Sequence, residues 1–300
     1  MSMSPLSSPI PIRIHRPRRR SRRAALAAWL AVAGLALLAG PVVPDVDTLD
    51  VGSAATDSSD IAATITLPGP GDRQVLPAVQ HPFSAGEQLK FSVSYGPIGA
   101  GTAWLEVPEV REWNGHTVFT LVARAESNAF VSTFYKVRNR IESFWDPDGR
   151  FSRRYFENRR EGGYKVQREI LFDAERREAR YSDGNVFPIP PHVQDALSSF
   201  YYTRFQELPL GGSIVFDYHA SRKNQPLQVK VLGRERVRTP AGTFDCVAIE
   251  PLLKAGGIFK NKGRLVIWIT DDERRMPVRM RSAVTIGSIS VTLQKYRAGA

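Results

Sequence analysis

From Phe83 onward the chain alternates apolar and polar residues with a period of two, and Gly, Pro, Asn or Asp punctuate the runs. Period two sends successive side chains to opposite faces of a strand, so the pattern admits sheets with one buried and one wet face and little else. Leu89–Tyr95 (LKFSVSY) shows it, the stretch Gly96-Pro97-Ile98-Gly99-Ala100-Gly101 breaks it, and Thr102–Val107 resumes it. Asn114-Gly115 marks a tight hairpin turn before a strand over Thr117–Ala125. Further strands are predicted near 133–145, 150–158, 163–172, 176–182, 213–219, 227–237, 243–250, 263–270, 277–285 and 288–296. In the last, Ile289, Val291 and Leu293 face one way and Ser290, Thr292 and Gln294 the other. The pattern predicts a mainly β fold, either a curved antiparallel sheet or a half-open β-barrel.

One segment departs from it. Between Pro190-Pro191 and Leu208-Pro209-Leu210-Gly211-Gly212, residues Val193, Ala196, Leu197, Phe200 and Arg204 recur at helical spacing. This predicts one α-helix over about 191–206, its prolines at the start, covering the sheet. The aromatics Phe200, Tyr201, Tyr202 and Phe205 either pack this helix onto the sheet or line an apolar ligand pocket, and Trp268 joins them as a candidate ligand contact.

The N-terminus addresses the chain. Seven arginines between Arg13 and Arg23 run into the apolar stretch Ala24–Gly40. Basic then apolar is the order of an export signal. At 17 residues the stretch is short for a membrane span of about 20. Residues 1–40 therefore read as a signal peptide or as an uncleaved inner-membrane anchor over 24–43, and either sends the rest to the periplasm. Residues 41–82 hold six Asp against Arg73 alone and few aromatics, which predicts a disordered acidic linker. Residues 83–300 then form a single β-rich domain, long enough to bury one large core. The seven N-terminal arginines and the linker's six Asp against one Arg account for +2 of the total +11, leaving +9 here. That excess is spread along the strands, which argues against a nucleic-acid binder.

The chemistry-bearing residues are few. No G-x-S-x-G, H-E-x-x-H, Walker loop or paired C-x-x-C occurs, and a single cysteine, Cys246, excludes an intrachain disulfide. Neither a cofactor nor a metal site is expected. Cys246 sits in an apolar run and reads as a buried structural thiol. Asp217 and His219, two apart on a strand, read as an ordinary surface pair, and Asp271-Asp272-Glu273 as a charged turn. Gly256–Gly263 reads as a flexible loop. Residues 150–180 carry ten Arg or Lys against six acids. Arg153, Arg154, Arg159 and Arg160 are the candidate basic surface for an anionic polymer or lipid headgroups, against a solvated face with charges paired across strands.

The order of features resembles the bacterial envelope family known as domain-of-unknown-function family 3108. The resemblance rests on Val93-Ser94-Tyr95-Gly96, Ile98-Gly99-Ala100-Gly101, Arg140-Ile141-Glu142-Ser143 and Gln194-Asp195-Ala196-Leu197-Ser198-Ser199-Phe200-Tyr201-Tyr202. Thr239-Pro240-Ala241-Gly242-Thr243-Phe244, Trp268-Ile269-Thr270-Asp271-Asp272 and Arg275-Met276-Pro277-Val278 complete it. The resemblance implies an exported β-rich protein and supplies no catalytic residue. A looser likeness at the level of fold is to half-barrel lipoprotein carriers, which hold acyl chains against a curved sheet. The expected function is a non-enzymatic envelope protein that binds or carries an apolar or amphiphilic ligand, with lipid or envelope polymer as partner. The alternatives are an envelope-polymer hydrolase using carboxylates such as Asp217 or Asp271, and a structural module with a basic face.

Overall fold

The computed structural model describes residues 81–255, 258–259, 264–283 and 287–299. The export signal or anchor, nearly all of the acidic linker and most of the Gly256–Gly263 loop lie outside them. In chain order the elements are β1 (Glu87–Tyr95), β2 (Ile98–Trp113), β3 (His116–Ser127), α1 (Ala129–Ser132), β4 (Val137–Asp146), β5 (Phe151–Glu161), β6 (Tyr164–Asp173), β7 (Glu178–Tyr181) and β8 (Val186–Pro188). There follow α2 (Ser198–Phe205), β9 (Ser213–Ala220), β10 (Lys223–Thr239), β11 (Gly242–Ala255), β12 (Ile258–Phe259), β13 (Leu265–Thr270), β14 (Pro277–Ala283) and β15 (Ser288–Arg297).

Neighbouring strands are antiparallel and form one path, β8-β7-β6-β5-β4-β3-β2-β1-β15-β14-β13-β11-β10-β9, with β12 hanging on β11. The expected mainly β, half-open architecture is the one observed. Turn chemistry fixes the register where the sequence marks it. Asn114 and Gly115 both adopt positive φ, 49° and 77°, and join β2 to β3 with Trp113 opposite His116. Gly101, opposite Ser127, has no room for a side chain, since a Cβ there would lie 2.1 Å from the Glu126 carbonyl oxygen.

The two edges, β8 and β9, do not pair with each other. Side chains span the gap: the Tyr181 hydroxyl lies 2.9 Å from His219 Nε2, the Asn224 amide donates to the Pro188 carbonyl, and Arg222 meets Asp183. The free backbone of β9 is taken up by Gln194, whose N–H donates to Asp217 and whose carbonyl accepts from His219. An edge covered in this way is no longer a template for a foreign strand. It also corrects the reading of His219 as half of a surface pair. Only Asp217 is exposed, and His219 is buried between the two edges.

The helix is shorter than the spacing predicts. Pro190 to Leu197 is not helical, because Gln194 is committed to the β9 edge and His192 adopts a positive φ of 57°. Asp195 then takes the role of a cap. One carboxylate oxygen accepts from the Leu197 and Ser198 amides at 2.7 and 2.8 Å, and the other accepts from Ser143 of β4 and Ser152 of β5. Burial raises the Asp195 pKa, while those four donors pull against it. At the far end, Arg204 grips Glu87 of β1 with two 2.8 Å hydrogen bonds, donates to the carbonyls of Pro82 and Arg274, and stacks against Phe83 and Tyr201. The helix is buried nearly all round. It lies inside the curve of the sheet and fills it, with Leu197, Phe200 and Tyr201 continuous with Leu89, Phe91, Ile141, Ile269 and Leu293. His81 packs edge-on against Phe119 and Phe205.

Two outcomes follow. Phe200→Ala removes a side chain that is 6% exposed and should cost about 3–5 kcal/mol in denaturant unfolding. A loss below about 1 kcal/mol would mean that the helix is not part of the core. Burial lowers the pKa of His219, so the unfolded chain takes up a proton below about pH 6.5 that the native state refuses. The urea midpoint should therefore fall between about pH 7.5 and pH 5.5, and His219→Gln should flatten that slope. An unchanged slope in the variant would remove His219 as its source.

A groove on the back of the sheet

The face of β10, β11 and β13–β15 that turns away from α2 carries a concavity. Along β13, Ile267 and Ile269 face the core, so Val266 and Trp268 face the other way. Register continues this face: Trp268 lies opposite Ala248 of β11 and Arg279 of β14, and Val266 lies opposite Arg281. In β10 a bulge between Val231 and Gly233 bends the strand. The sheet then rolls over this face. Arg279 of β14 donates to the Arg238 carbonyl of β10 at 2.6 Å, although β11 and β13 lie between, and Phe244 of β11 meets Tyr296 of β15 with ring centroids 6.1 Å apart.

The roll leaves an open groove of about 750 Å³. Leu232, Ala248, Val266 and Trp268 supply its apolar wall, and Arg234, Arg264, Arg281, Glu235 and Ser288 its polar one. Arg264 is held by Glu250 at 3.2 Å and Arg234 by Asp271 at 2.5 Å. Arg281 is exposed and meets no acid among the described residues. The indole nitrogen of Trp268 is buried and has no hydrogen-bond partner among them. An apolar wall beside an unspent guanidinium is what an anionic amphiphile would use. Cys246 lies on β11 opposite Thr270 and Glu235. Burial, with the nearby Asp245 charge, pushes its thiol up to about 12, in keeping with a structural role.

Trp268 is thus separated from the other candidate ligand contacts. Phe200 and Tyr201 are buried in the core, Tyr202 packs edge-on against Phe216, and Phe205 lies 5.0 Å from Trp145. The second cavity among those described holds only about 30 Å³ and lies elsewhere, between Val93, Ala100, Ala125, Val131, Val137 and Ile289. The four arginines do not form one surface either. Alternation along β5 turns Arg159 inward, 4% exposed, onto Glu161. Arg153 pairs with Asp146, and Arg154 pairs with Glu169 while lying against the rings of Phe144 and Phe156. Only Arg160 stands exposed without an acid among the described residues. Asp217 and Asp271 are not brought together: Asp217 sits opposite Pro226 of β10, and Asp271 bonds Asp245, which sits opposite Arg236. Ten residues of strand correspond to about 33 Å, far beyond the roughly 5–10 Å that paired glycosidase carboxylates require. No cluster of three or more His, Cys, Asp or Glu suited to a metal ion occurs among the described residues. No helix among them is long and apolar enough to cross a membrane.

Sequence reasoning named Trp268 but missed its arginine neighbours. The available signal was Gly233 inside a strand pattern, which marks a bulge and hence a bend.

Comparison with known proteins agrees with this architecture. The family model described as "Protein of unknown function (DUF3108)" matches residues 90–294. No curated protein matches the chain. A solved β-barrel-like protein of the unknown-function family DUF1849 from Brucella abortus superposes with a TM-score of 0.51 at 10% identity, covering 72% of this chain and 98% of that one. That likeness is one of fold. A Parabacteroides distasonis structure described as a candidate lipoprotein covers 72% and 98% at 11% identity, with a TM-score of 0.33. A candidate exported protein with a YmcC-like fold from Bacteroides fragilis covers 72% and 97% at 17% identity, with a TM-score of 0.30.

The thiol provides a check on the rolled face. A pKa of about 12 against an ordinary 9.0 leaves about a thousandth as much thiolate near pH 8. A chromogenic disulfide should label Cys246 only after denaturation, and fast labelling of the native protein would show that the roll is open.

Proposed function

The chain belongs to the family of unknown function DUF3108, and on that premise we propose that it is a non-enzymatic protein of the cell envelope that binds an anionic amphiphile in the groove beside Trp268. The observation that carries this is the contrast between the two sides of the sheet. The concave side is filled by α2 and its aromatic neighbours, whereas the rolled back face keeps about 750 Å³ open. An acyl chain would lie along Leu232, Ala248, Val266 and the half-buried ring of Trp268, with its anionic end toward Arg281. The basic and apolar order of residues 13–40 supports export to the periplasm, either cleaved or anchored through 24–43.

The test is ligand-dependent stability. Dodecyl phosphate at a hundredfold excess over its Kd should stabilise the full chain by about 2.7 kcal/mol, read as a rise in melting temperature. Trp268→Ala with Arg281→Gln should abolish the rise, and Arg281→Gln alone, at an exposed position, should weaken it while leaving the ligand-free melting temperature nearly unchanged. An equal rise in the double variant, or none in the parent, would sink the proposal.

A further inference from the structure

At one end of the sheet the chain displays apolar rings that the fold does not use. Between β3 and β4, α1 is fastened down: the Asn128 side chain accepts from Val131 N–H at 2.8 Å and donates to the Gly99 carbonyl at 2.7 Å, and its backbone N–H donates to Ala100. Val131 is buried beneath. Yet Phe130 and Phe134, whose rings meet 5.7 Å apart, are 65% and 76% exposed. Ile98, beside the Gly99 that receives Asn128, is 52% exposed. The rings stand out from a segment held in place by hydrogen bonds and, among the described residues, make a ring contact only with each other.

A row of cations lies behind this tip. Across the outer face Glu126 of β3 is opposite Arg138 of β4, Arg138 is opposite Arg160 of β5, and Arg160 is opposite Lys165 of β6. One acid, Glu126 at 3.6 Å from Arg138, serves three cations, and Lys136 beside them is exposed as well. Like charges directly opposite on neighbouring strands repel and destabilise a sheet. An anionic surface outside the molecule would relieve the repulsion.

We propose that this end of the domain docks on an anionic lipid bilayer, with Phe130, Phe134 and Ile98 entering the interface and Arg138, Arg160, Lys165 and Lys136 meeting the headgroups. Aromatic rings at the boundary of headgroup and acyl chain, with cations one layer back, are the arrangement that binds proteins to such surfaces. The row Arg138–Arg160–Lys165 is the charge complement of an anionic lipid surface, and this selects the bilayer as occupant. This docking does not depend on the groove. The two do share an end of the sheet, since Ser288 of the groove wall accepts from the Gly96 amide, two residues from Ile98.

The test must separate the tip from the N-terminal apolar stretch of the full chain. Phe134→Cys carrying an environment-sensitive fluorophore reports on the tip, and Arg176→Cys, in the turn between β6 and β7 at the opposite end, is the control. With vesicles of phosphatidylglycerol and phosphatidylcholine, the label at 134 should shift to the blue and escape a water-soluble quencher, while the label at 176 should not. With phosphatidylcholine alone neither should shift. Arg160→Gln with Lys165→Gln should weaken the response roughly thirty-fold, from about fivefold per cation at an anionic surface. A label at 134 that stays in water while the chain sediments with the vesicles would overturn the proposal. So would an equal shift on neutral vesicles, or a response unchanged by the two Gln substitutions in protein whose melting temperature is unaltered.

Discussion

The architecture depends on the tethering of one eight-residue helix at both ends by buried charge. Asp195 gathers two backbone amides and the hydroxyls of Ser143 and Ser152, so the start of α2 is fixed to β4 and β5. Arg204 fixes its end to β1 and to the turn after β13 through Glu87 and the Arg274 carbonyl. Such groups are costly to bury and costlier to strip of partners, by about 3–5 kcal/mol when one member of a buried pair is lost. Three strands and a turn from distant parts of the chain are thereby set around one rod. Sheets twist and coil of themselves, and bulges add to it; here the rod fills the resulting curve and Gln194 bridges to β9.

Filling the concave side has a consequence for binding. In a small barrel the interior either packs or holds a ligand, and here Phe200, Tyr201, Phe83 and Trp145 pack it. The space that remains lies on the other face, where the bulge at Gly233 lets the long β10–β11 hairpin roll over β13 and β14. A half-barrel carrier holds its cargo against the concave face. This chain has moved the accessible concavity to the convex side of its main core, which is why a likeness in fold does not transfer a site.

The strands were legible because period-two alternation reports burial directly. Twelve residues of β3 and ten of β15 fall within two or three positions of the runs read from alternation alone. The helix was half legible. Val193, Ala196, Leu197, Phe200 and Arg204 are all buried as the spacing demands, yet the first three precede the helix, because a long-range bridge from Gln194 to Tyr218 overrides local preference. The Arg153–Arg160 cluster was misleading for a physical reason: on a strand, consecutive arginines face opposite ways, and Arg159 spends its charge inside on Glu161. The groove was invisible because it arises from the rolling of a sheet. Trp268, Arg281 and Leu232 converge only once the curvature is known.

The placement of unspent chemistry then has a direction. Arg281 and the Trp268 indole lie in the groove, Arg160 and Lys165 beneath the aromatic tip, and both sites border the end that carries the β1–β2 turn. At the opposite end Arg153 pairs with Asp146 and Arg176 with Asp173, while Arg150 and Arg177 are exposed without an acid among the described residues. What distinguishes the end with the β1–β2 turn is the pair of exposed rings, Phe130 and Phe134, beside the Arg138–Arg160–Lys165 row. On the two proposals together, an amphiphile held in the groove would pass to the docked surface without carrying its acyl chain through water, where each methylene exposed costs about 0.8 kcal/mol.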